Sequence, residues 1–149
     1  MDNRIRPLAL ALIRKDDEIL VEEGRDEVKN ETFFRLLGGV IGFGEKGADA
    51  VHRELREELG VESEVKPLVA VATLENVFTY EGGLCHEIVL IYECSLRDDS
   101  LYSLDKWESH EQTRDGIVVH KVEWKRLDDF GGTGDILYPE GLQALLPQQ

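Results

Sequence analysis

The sequence predicts a single α/β domain, and three observations support this fold class. The chain has 149 residues, close to the size of an average domain, so we expect one domain over residues 1–149. Apolar residues at helical spacing predict one amphipathic helix over residues 48–59. Segments rich in β-branched residues on both sides of that helix predict strands. A helix between groups of strands indicates an α/β fold.

The predicted strands form two hairpins and one short buried strand. The apolar segments 5–13 and 19–21 are separated by a run of charged residues, which predicts the first hairpin. A short buried strand at 33–37 follows and ends at two glycines. Residues 65–77 and 84–96 are rich in β-branched residues and flank a glycine-containing turn, which predicts the second hairpin.

The last third of the chain is less regular. Residues 97–116 are charged and aperiodic, and we expect a long loop there, of the kind that often serves function. Strand character resumes at 117–124, and residues 139–146 predict a short closing helix. Cys85 and Cys94 stand nine residues apart without a second metal-type pair, so we expect both to be reduced.

The charge balance restricts the partners of the chain. It has 31 acidic and 17 basic side chains and a net charge of −14, which repels phosphate backbones and anionic lipid. We therefore expect neither duplex nucleic acid nor a membrane as a partner, and an anionic ligand would need a metal ion or a confined cationic patch. The apolar N-terminal stretch is interrupted by charges well before the roughly 20 residues of a membrane span, so we expect a cytoplasmic protein.

A glycine-rich loop precedes the predicted helix. The density of glycine between positions 38 and 47 suits a backbone that turns sharply or approaches a ligand closely. On the helix, Glu54, Glu57 and Glu58 are spaced i, i+3 and i+4, which places three carboxylates on one face. Such a cluster is favourable if a divalent cation neutralises it, and all-oxygen ligation suits Mg²⁺ or Mn²⁺. The alternative is a solvated acidic face relieved by pairs such as Arg53 with Glu57.

The loop and the helix together resemble the Nudix box, the signature of the Nudix hydrolase superfamily. That signature is a glycine, five residues, a glutamate, seven residues, and then Arg-Glu-aliphatic-any-Glu-Glu-any-Gly-aliphatic. A chance match is on the order of 10⁻⁹ per starting position at average composition. Every specified position is met, by Gly39, Glu45, Arg53, Glu54, Leu55, Glu57, Glu58, Gly60 and Val61.

The resemblance implies a fold and an activity. The fold is a Nudix-type α/β/α sandwich around a central mixed β-sheet. The activity is Mg²⁺-dependent hydrolysis, with Mn²⁺ as an alternative, of a diphosphate linkage in a nucleoside triphosphate or other nucleoside diphosphate derivative. The substrate would be a small-molecule nucleotide, and a homodimer is compatible with the resemblance. The alternative function is a non-catalytic nucleotide-sensing module that keeps the fold.

The resemblance also implies roles for residues of the box. Glu57 and Glu58 match metal-ligand positions, and Glu54 matches a position used as a further ligand or as the base that activates water. Arg53 matches a position that orients the glutamates by pairing with them. The backbone carbonyl of Gly39 would contribute to the metal site.

Three further residues are expected near the substrate. Gly38 adjoins Gly39 and offers the alternative backbone carbonyl. Glu45 matches a glutamate with a supporting, partly structural role. Arg35 is among the few cations that could receive a phosphate, although solvated surface is the alternative.

The base can also come from a loop outside the box in this family. The acidic segment 97–116 offers Glu108, Glu111 and Asp115, and the spacing does not choose among them. We take Glu111 as the catalytic candidate, with a solvated loop as the alternative.

Overall fold

The computed structural model describes residues 3–132 and 134–146. Within them the chain forms eleven strands and two α-helices, α1 at Gly47–Leu59 and α2 at Leu142–Leu145, with short 3₁₀ turns at Asp99–Ser103 and Leu127–Asp129. The strands are β1 Arg6–Leu12, β2 Arg14–Lys15, β3 Glu18–Asp26, β4 Glu31–Arg35, β5 Leu37–Val40, β6 Ser63–Val65, β7 Ala72–Tyr80, β8 Gly83–Leu96, β9 Lys106–Thr113, β10 Gly116–Arg126 and β11 Leu137–Tyr138.

The strands form two sheets. The first has the order β5-β1-β8-β6, and β7 also pairs with β8. It is mixed, because β1 runs parallel to β8 and antiparallel to β5. The second has the order β11-β4-β3-β10-β9, and β2 pairs with β3. The mixed sheet of the expected Nudix-type α/β fold is therefore present, with the strands divided between two sheets.

Two apolar cores lie on opposite faces of β1, because side chains alternate along a strand. Ala9 and Ala11 belong to the core that includes Val51 and Leu55 of α1. Leu8, Leu10 and Leu12 belong to the core that includes Leu142 of α2. Burial on both faces explains why β1 reads as a continuous apolar run in the sequence.

The prediction for the principal helix is confirmed. Its apolar stripe at Ala48, Val51 and Leu55 is buried, and the helix ends at Gly60. Gly60 has φ 67°, a left-handed conformation that glycine adopts without a Cβ penalty. The second hairpin is also present, although its first strand starts at Ala72, later than expected.

Two strand predictions are wrong in their pairing. The segments 5–13 and 19–21 do not form one hairpin, because β1 and β3 lie in different sheets, and the strand that precedes β3 and pairs with it is the short β2. The expected strand at 33–37 is two strands, β4 and β5, which also belong to different sheets. Apolar runs predict buried strands, but they do not specify which sheet a strand joins.

The expected loop at 97–116 is wrong in its second half. Residues Lys106–Thr113 form β9, which pairs with β10 in antiparallel register. Its inward positions include the polar Ser109 and Glu111, which are buried and half-buried. A strand whose inner face is polar lacks the apolar alternation by which strands are recognised.

Two smaller expectations concern the cysteines and the membrane. Cys85 and Cys94 are both free. Among the described residues, none of the helices has the length and hydropathy needed to cross a membrane.

Candidate active site

The two glycines of β5 pack tightly against neighbouring groups. Gly38 has φ 144°, and a Cβ there would lie 2.1 Å from the carbonyl oxygen of Ala9. A Cβ on Gly39 would lie 2.5 Å from the carboxyl carbon of Glu54. Glycine at these positions therefore lets the backbone of β5 reach β1 on one side and the Glu54 carboxylate on the other.

Arg53 organises the acidic side chains around it. Its Nε donates to Glu45 at 2.8 Å, and its Nη1 donates to Glu54 at 2.9 Å and to Glu57 at 3.3 Å. Its Nη2 donates to the Val40 carbonyl oxygen at 3.0 Å. One guanidinium thus fixes three glutamates and the loop backbone, because its planar donors point in set directions.

Glu45 is fully engaged in this arrangement. Both of its oxygens accept hydrogen bonds from Arg53, and Oε1 also accepts from the Gly42 N–H at 3.0 Å. The Arg53 hydrogen bonds lower the pKa of Glu45 to about 2. Glu45 does not line the cavity described below, so the structure places it as a support for Arg53, and its predicted contact with substrate stays a prediction.

Glu58 differs from its neighbours on the helix because it is buried. It is 7% exposed, whereas the Glu57 side chain is 58% exposed. Burial, together with Glu22 and Glu54 nearby, raises the pKa of Glu58 to about 9. Its Oε2 is buried and has no hydrogen-bond partner among the described residues. An ionised carboxylate in this position needs a cation close to it.

The second sheet contributes polar residues from four strands. Glu22 on β3 is 1% exposed, and its Oε1 accepts a hydrogen bond from Arg35 Nε of β4 at 2.6 Å. Its Oε2 accepts from Ser109 Oγ of β9 at 2.9 Å. Glu111 of β9 accepts from His120 Nε2 of β10 at 3.0 Å, and Arg35 Nη2 lies 3.8 Å from the same Glu111 oxygen. We call these five residues the sheet network.

Sequence reasoning identifies only part of the sheet network. Glu111 and Arg35 are candidates from the sequence, whereas Glu22, Ser109 and His120 are not. Glu22 directly follows the buried run Ile19 to Val21, and an acidic residue continuing a buried run is the one sequence signal that could have found it. No comparable signal precedes His120.

The structure also distinguishes among the three candidate carboxylates of segment 97–116. Glu111 is half-buried and lines both cavities described below. Glu108 is exposed on β9 and Asp115 is exposed in the turn before β10, and neither lines those cavities. The geometry therefore favours Glu111.

A cavity of 440 Å³ brings the helix and the sheet network together, and we call it the acidic cavity. Its lining includes both loop glycines, three helical glutamates and two members of the sheet network. These residues are Gly38, Gly39, Glu54, Glu57, Glu58, Arg35 and Glu111. Arg6 and Glu87, which pair at 3.4 Å, also line it. Candidates from positions 35 to 111 of the sequence thus share one cavity.

A second cavity of 250 Å³ adjoins the acidic cavity, and the two share Leu8, Leu10 and the four charged residues Arg6, Arg35, Glu87 and Glu111. We call it the aromatic cavity because four rings line it, those of Phe33, Phe78, Tyr80 and Tyr138. The ring of Phe33 is in edge contact with Tyr80 and with Tyr138, at 6.0 and 5.0 Å between centroids. Such rings offer faces and edges on which a planar ligand can stack.

The acidic cavity has the donors for a divalent cation, although the site is not preassembled. No group of three His, Cys, Asp or Glu side chains within 3–132 and 134–146 is arranged to hold a metal ion, since Arg53 draws Glu54 and Glu57 toward itself. The buried Oε2 of Glu58 nevertheless has no hydrogen-bond partner among the described residues. Carboxylate oxygens with a backbone carbonyl suit Mg²⁺ or Mn²⁺, so the residues present fit such an ion.

Comparisons with known proteins agree with this site. A family model described as the NUDIX domain matches residues 4–141. No curated protein matched the chain.

Solved structures show the same fold at low sequence identity. A MutT NUDIX hydrolase from Burkholderia pseudomallei is 21% identical, with 89% of this chain and 91% of that chain covered and a TM-score of 0.58. The E. coli ORF135 protein is 21% identical, with 95% and 91% covered and a TM-score of 0.56. A NUDIX-family hydrolase from Clostridium perfringens is 14% identical, with 95% and 93% covered and a TM-score of 0.60. The chain therefore belongs to the NUDIX family and is a Nudix hydrolase.

Proposed function

We propose that this chain is a single-domain, Mg²⁺-dependent hydrolase that cleaves a diphosphate linkage in a nucleoside triphosphate or another nucleoside diphosphate derivative. One observation carries the proposal: the helical glutamates and Gly39 share the acidic cavity with Arg35 and Glu111. Hydrolysis of a diphosphate needs both a group that binds a cation and a group that accepts a proton from water. This cavity has candidates for both.

The helical glutamates would hold the cation. Glu57 and Glu58 supply carboxylate oxygens, Glu54 adds a third carboxylate beside Gly39, and the Gly39 carbonyl is the backbone donor. When bound, the cation neutralises charge on the diphosphate oxygens and promotes the attack of water. Arg53 holds Glu54 and Glu57 in place through the hydrogen bonds at 2.9 and 3.3 Å.

The sheet network would act on the water and the phosphate. The hydrogen bond from His120 lowers the pKa of Glu111, so this carboxyl group is ionised at neutral pH and can take a proton. The guanidinium of Arg35 is 38% exposed and faces the same cavity, where it can donate to a phosphate oxygen.

The aromatic cavity supports a nucleoside as the other half of the substrate. It is continuous with the acidic cavity through four shared charged residues. A molecule with its diphosphate at the glutamates can therefore place a planar ring among the four aromatic side chains. A nucleotide has both parts.

The test is product release in the presence of Mg²⁺ across nucleoside triphosphates, dinucleoside polyphosphates, nucleotide sugars and ADP-ribose, with products identified by mass. We expect turnover of one group and a loss of at least about a hundredfold in Glu58→Gln, because the substitution removes a carboxylate ligand of the cation. Glu62→Gln is the matched control, since Glu62 is exposed and pairs with Arg56 outside the cavity. Full turnover by Glu58→Gln would contradict the proposal.

Metal binding can be measured without turnover. We expect Mg²⁺ to raise the thermal unfolding temperature of the wild type and of Glu62→Gln, but not that of Glu58→Gln. Comparing Mn²⁺ in the same assay establishes which ion the site prefers. Nucleotide binding without turnover of any compound would instead favour a sensing module.

A further inference from the structure

The imidazole of His120 lies between two strands of the second sheet. Its Nδ1 is 3.2 Å from the backbone carbonyl oxygen of Glu23 on β3. Its Nε2 is 3.0 Å from Oε2 of Glu111 on β9. The side chain is 19% exposed and lines the aromatic cavity.

Both partners of the ring are acceptors. A carbonyl oxygen has no hydrogen to donate, and an ionised carboxylate has none either. A neutral imidazole carries one N–H and would satisfy only one of them, leaving a lone pair facing the other. Both contacts are hydrogen bonds at once when both ring nitrogens are protonated, which makes the ring an imidazolium cation.

Two carboxylates favour this cation, because Glu111 faces the ring from β9 and Glu22 acts on it from β3. The guanidinium of Arg35 on β4 opposes it, but Arg35 is itself shared between the same two carboxylates, at 2.6 Å from Glu22 and 3.8 Å from Glu111. In keeping with this geometry, the hydrogen bond to Glu111 raises the pKa of His120.

The same contact fixes the Glu111 carboxylate. Its Oε2 accepts from His120 and lies 3.8 Å from Arg35 Nη2, so two cations from different strands hold one oxygen. Arg6 of the acidic cavity also favours the ionised form of Glu111. Restricting a catalytic group in this way lowers the cost of reaching the reactive geometry.

We propose that His120, as a doubly protonated cation, is a positioning residue that holds Glu111 ionised and oriented toward the acidic cavity. This inference rests on the proposed function, since it gives Glu111 the task of accepting a proton. His120 itself contacts Glu111 and the Glu23 backbone and acts through Glu111.

The first experiment measures the protonation of His120 directly, by two-bond ¹H–¹⁵N correlation spectra of the full chain as a function of pH. We expect both ring nitrogens to carry hydrogen at pH 7, and the titration midpoint to fall in Glu111→Gln. His120→Gln assigns the signal, and His86→Gln is the matched histidine control. A neutral ring at pH 7, or a midpoint that does not move in Glu111→Gln, would overturn the inference.

The second experiment follows kcat against pH with the substrate found above. We expect the wild-type kcat to fall as the pH rises through the His120 midpoint, because the ring then loses the proton that it donates. His120→Gln keeps one donor without the charge, so it should lower kcat by about tenfold and lose this alkaline decline, whereas KM changes by about twofold at most. His120→Ala should lower kcat further, and His86→Gln should keep the wild-type profile.

The outcomes separate this inference from the proposed function. A residue that only stabilised the fold would change the unfolding temperature and leave the pH profile of kcat intact, which would overturn the inference. Full turnover by Glu111→Gln would also overturn it, while the hydrolase activity would stand. If the wild type turned over none of the compounds, the proposed function and this role would fail together.

Discussion

The two halves of the acidic cavity are built in different ways. The box segment, residues 39–61, is a local structure made of one helix and the chain that precedes it. On the helix, Arg53 and the glutamates that it contacts are at most four residues apart. The sheet network is assembled from four strands, and its contacts join residues 9 to 97 positions apart. The first half is determined by spacing, the second by strand pairing.

This difference predicts different responses to substitution. In the box segment the side chains of Glu57 and Arg53 are 58% and 36% exposed, so water can replace their partners at little cost. Glu22 of the sheet network is 1% exposed and cannot be rehydrated in the folded chain. We expect changes in the box segment to affect activity, and changes at Glu22 to affect stability as well.

The largest effect in this comparison is expected for Arg53. Arg53→Gln removes the guanidinium that holds Glu54 and Glu57, and we expect kcat to fall by about a hundredfold because the glutamates lose their orientation. Arg56→Gln is the control on the same helix, since Arg56 pairs with the exposed Glu62, and it should keep the wild-type rate. Equal rates for the two variants would show that the glutamates orient themselves without Arg53.

The second largest effect is expected on the free energy of unfolding. Glu22→Gln leaves the Arg35 guanidinium without its carboxylate, and we expect the free energy of unfolding to fall by on the order of 1–2 kcal/mol, since the partly exposed Arg35 keeps some water. Glu57→Gln should change it by about 0.5 kcal/mol or less. Urea denaturation of both variants without metal measures this contrast. An equal loss of unfolding free energy in the two variants would show that the sheet network and the box segment do not differ in this respect.

The smallest effect concerns pH and a carboxylate at the edge of the aromatic cavity. The oxygens of Asp26 accept hydrogen bonds from the backbone N–H groups of Val28, Lys29 and Glu81. The Lys29 hydrogen bond leads the interactions that lower the pKa of Asp26. Its contribution to stability is therefore present above the unfolded value of 3.8 and is lost as the pH falls through the folded value.

We expect Asp26→Asn to be less stable than the wild type at pH 7, and the difference in unfolding temperature to shrink as the pH is lowered below 4. Thermal unfolding in buffers from pH 3 to pH 7 measures it. A difference that stays constant over this range would show that the ionised form contributes nothing. Asp26 links the β3–β4 turn to Glu81 after β7.

Much of the box segment was predictable because its interactions are local. Helical periodicity fixes which side chains share a face, so the spacing of Glu54, Glu57 and Glu58 was sufficient to place them together. The stop at Gly60 followed from the same reasoning. Periodicity could not show that Glu58 is buried while Glu57 is exposed, since this depends on what packs against the helix.

The sequence by itself therefore determined the family, the principal helix and the acidic cluster, because these depend on residues close together in the chain. Only the tertiary structure decided that β1 and β3 join different sheets, and that the polar strand β9 carries Glu111 to the cavity. His120 and Glu22 join the site through pairings of β3, β4, β9 and β10. Such pairings depend on the packing of the whole chain, and no local pattern specifies them.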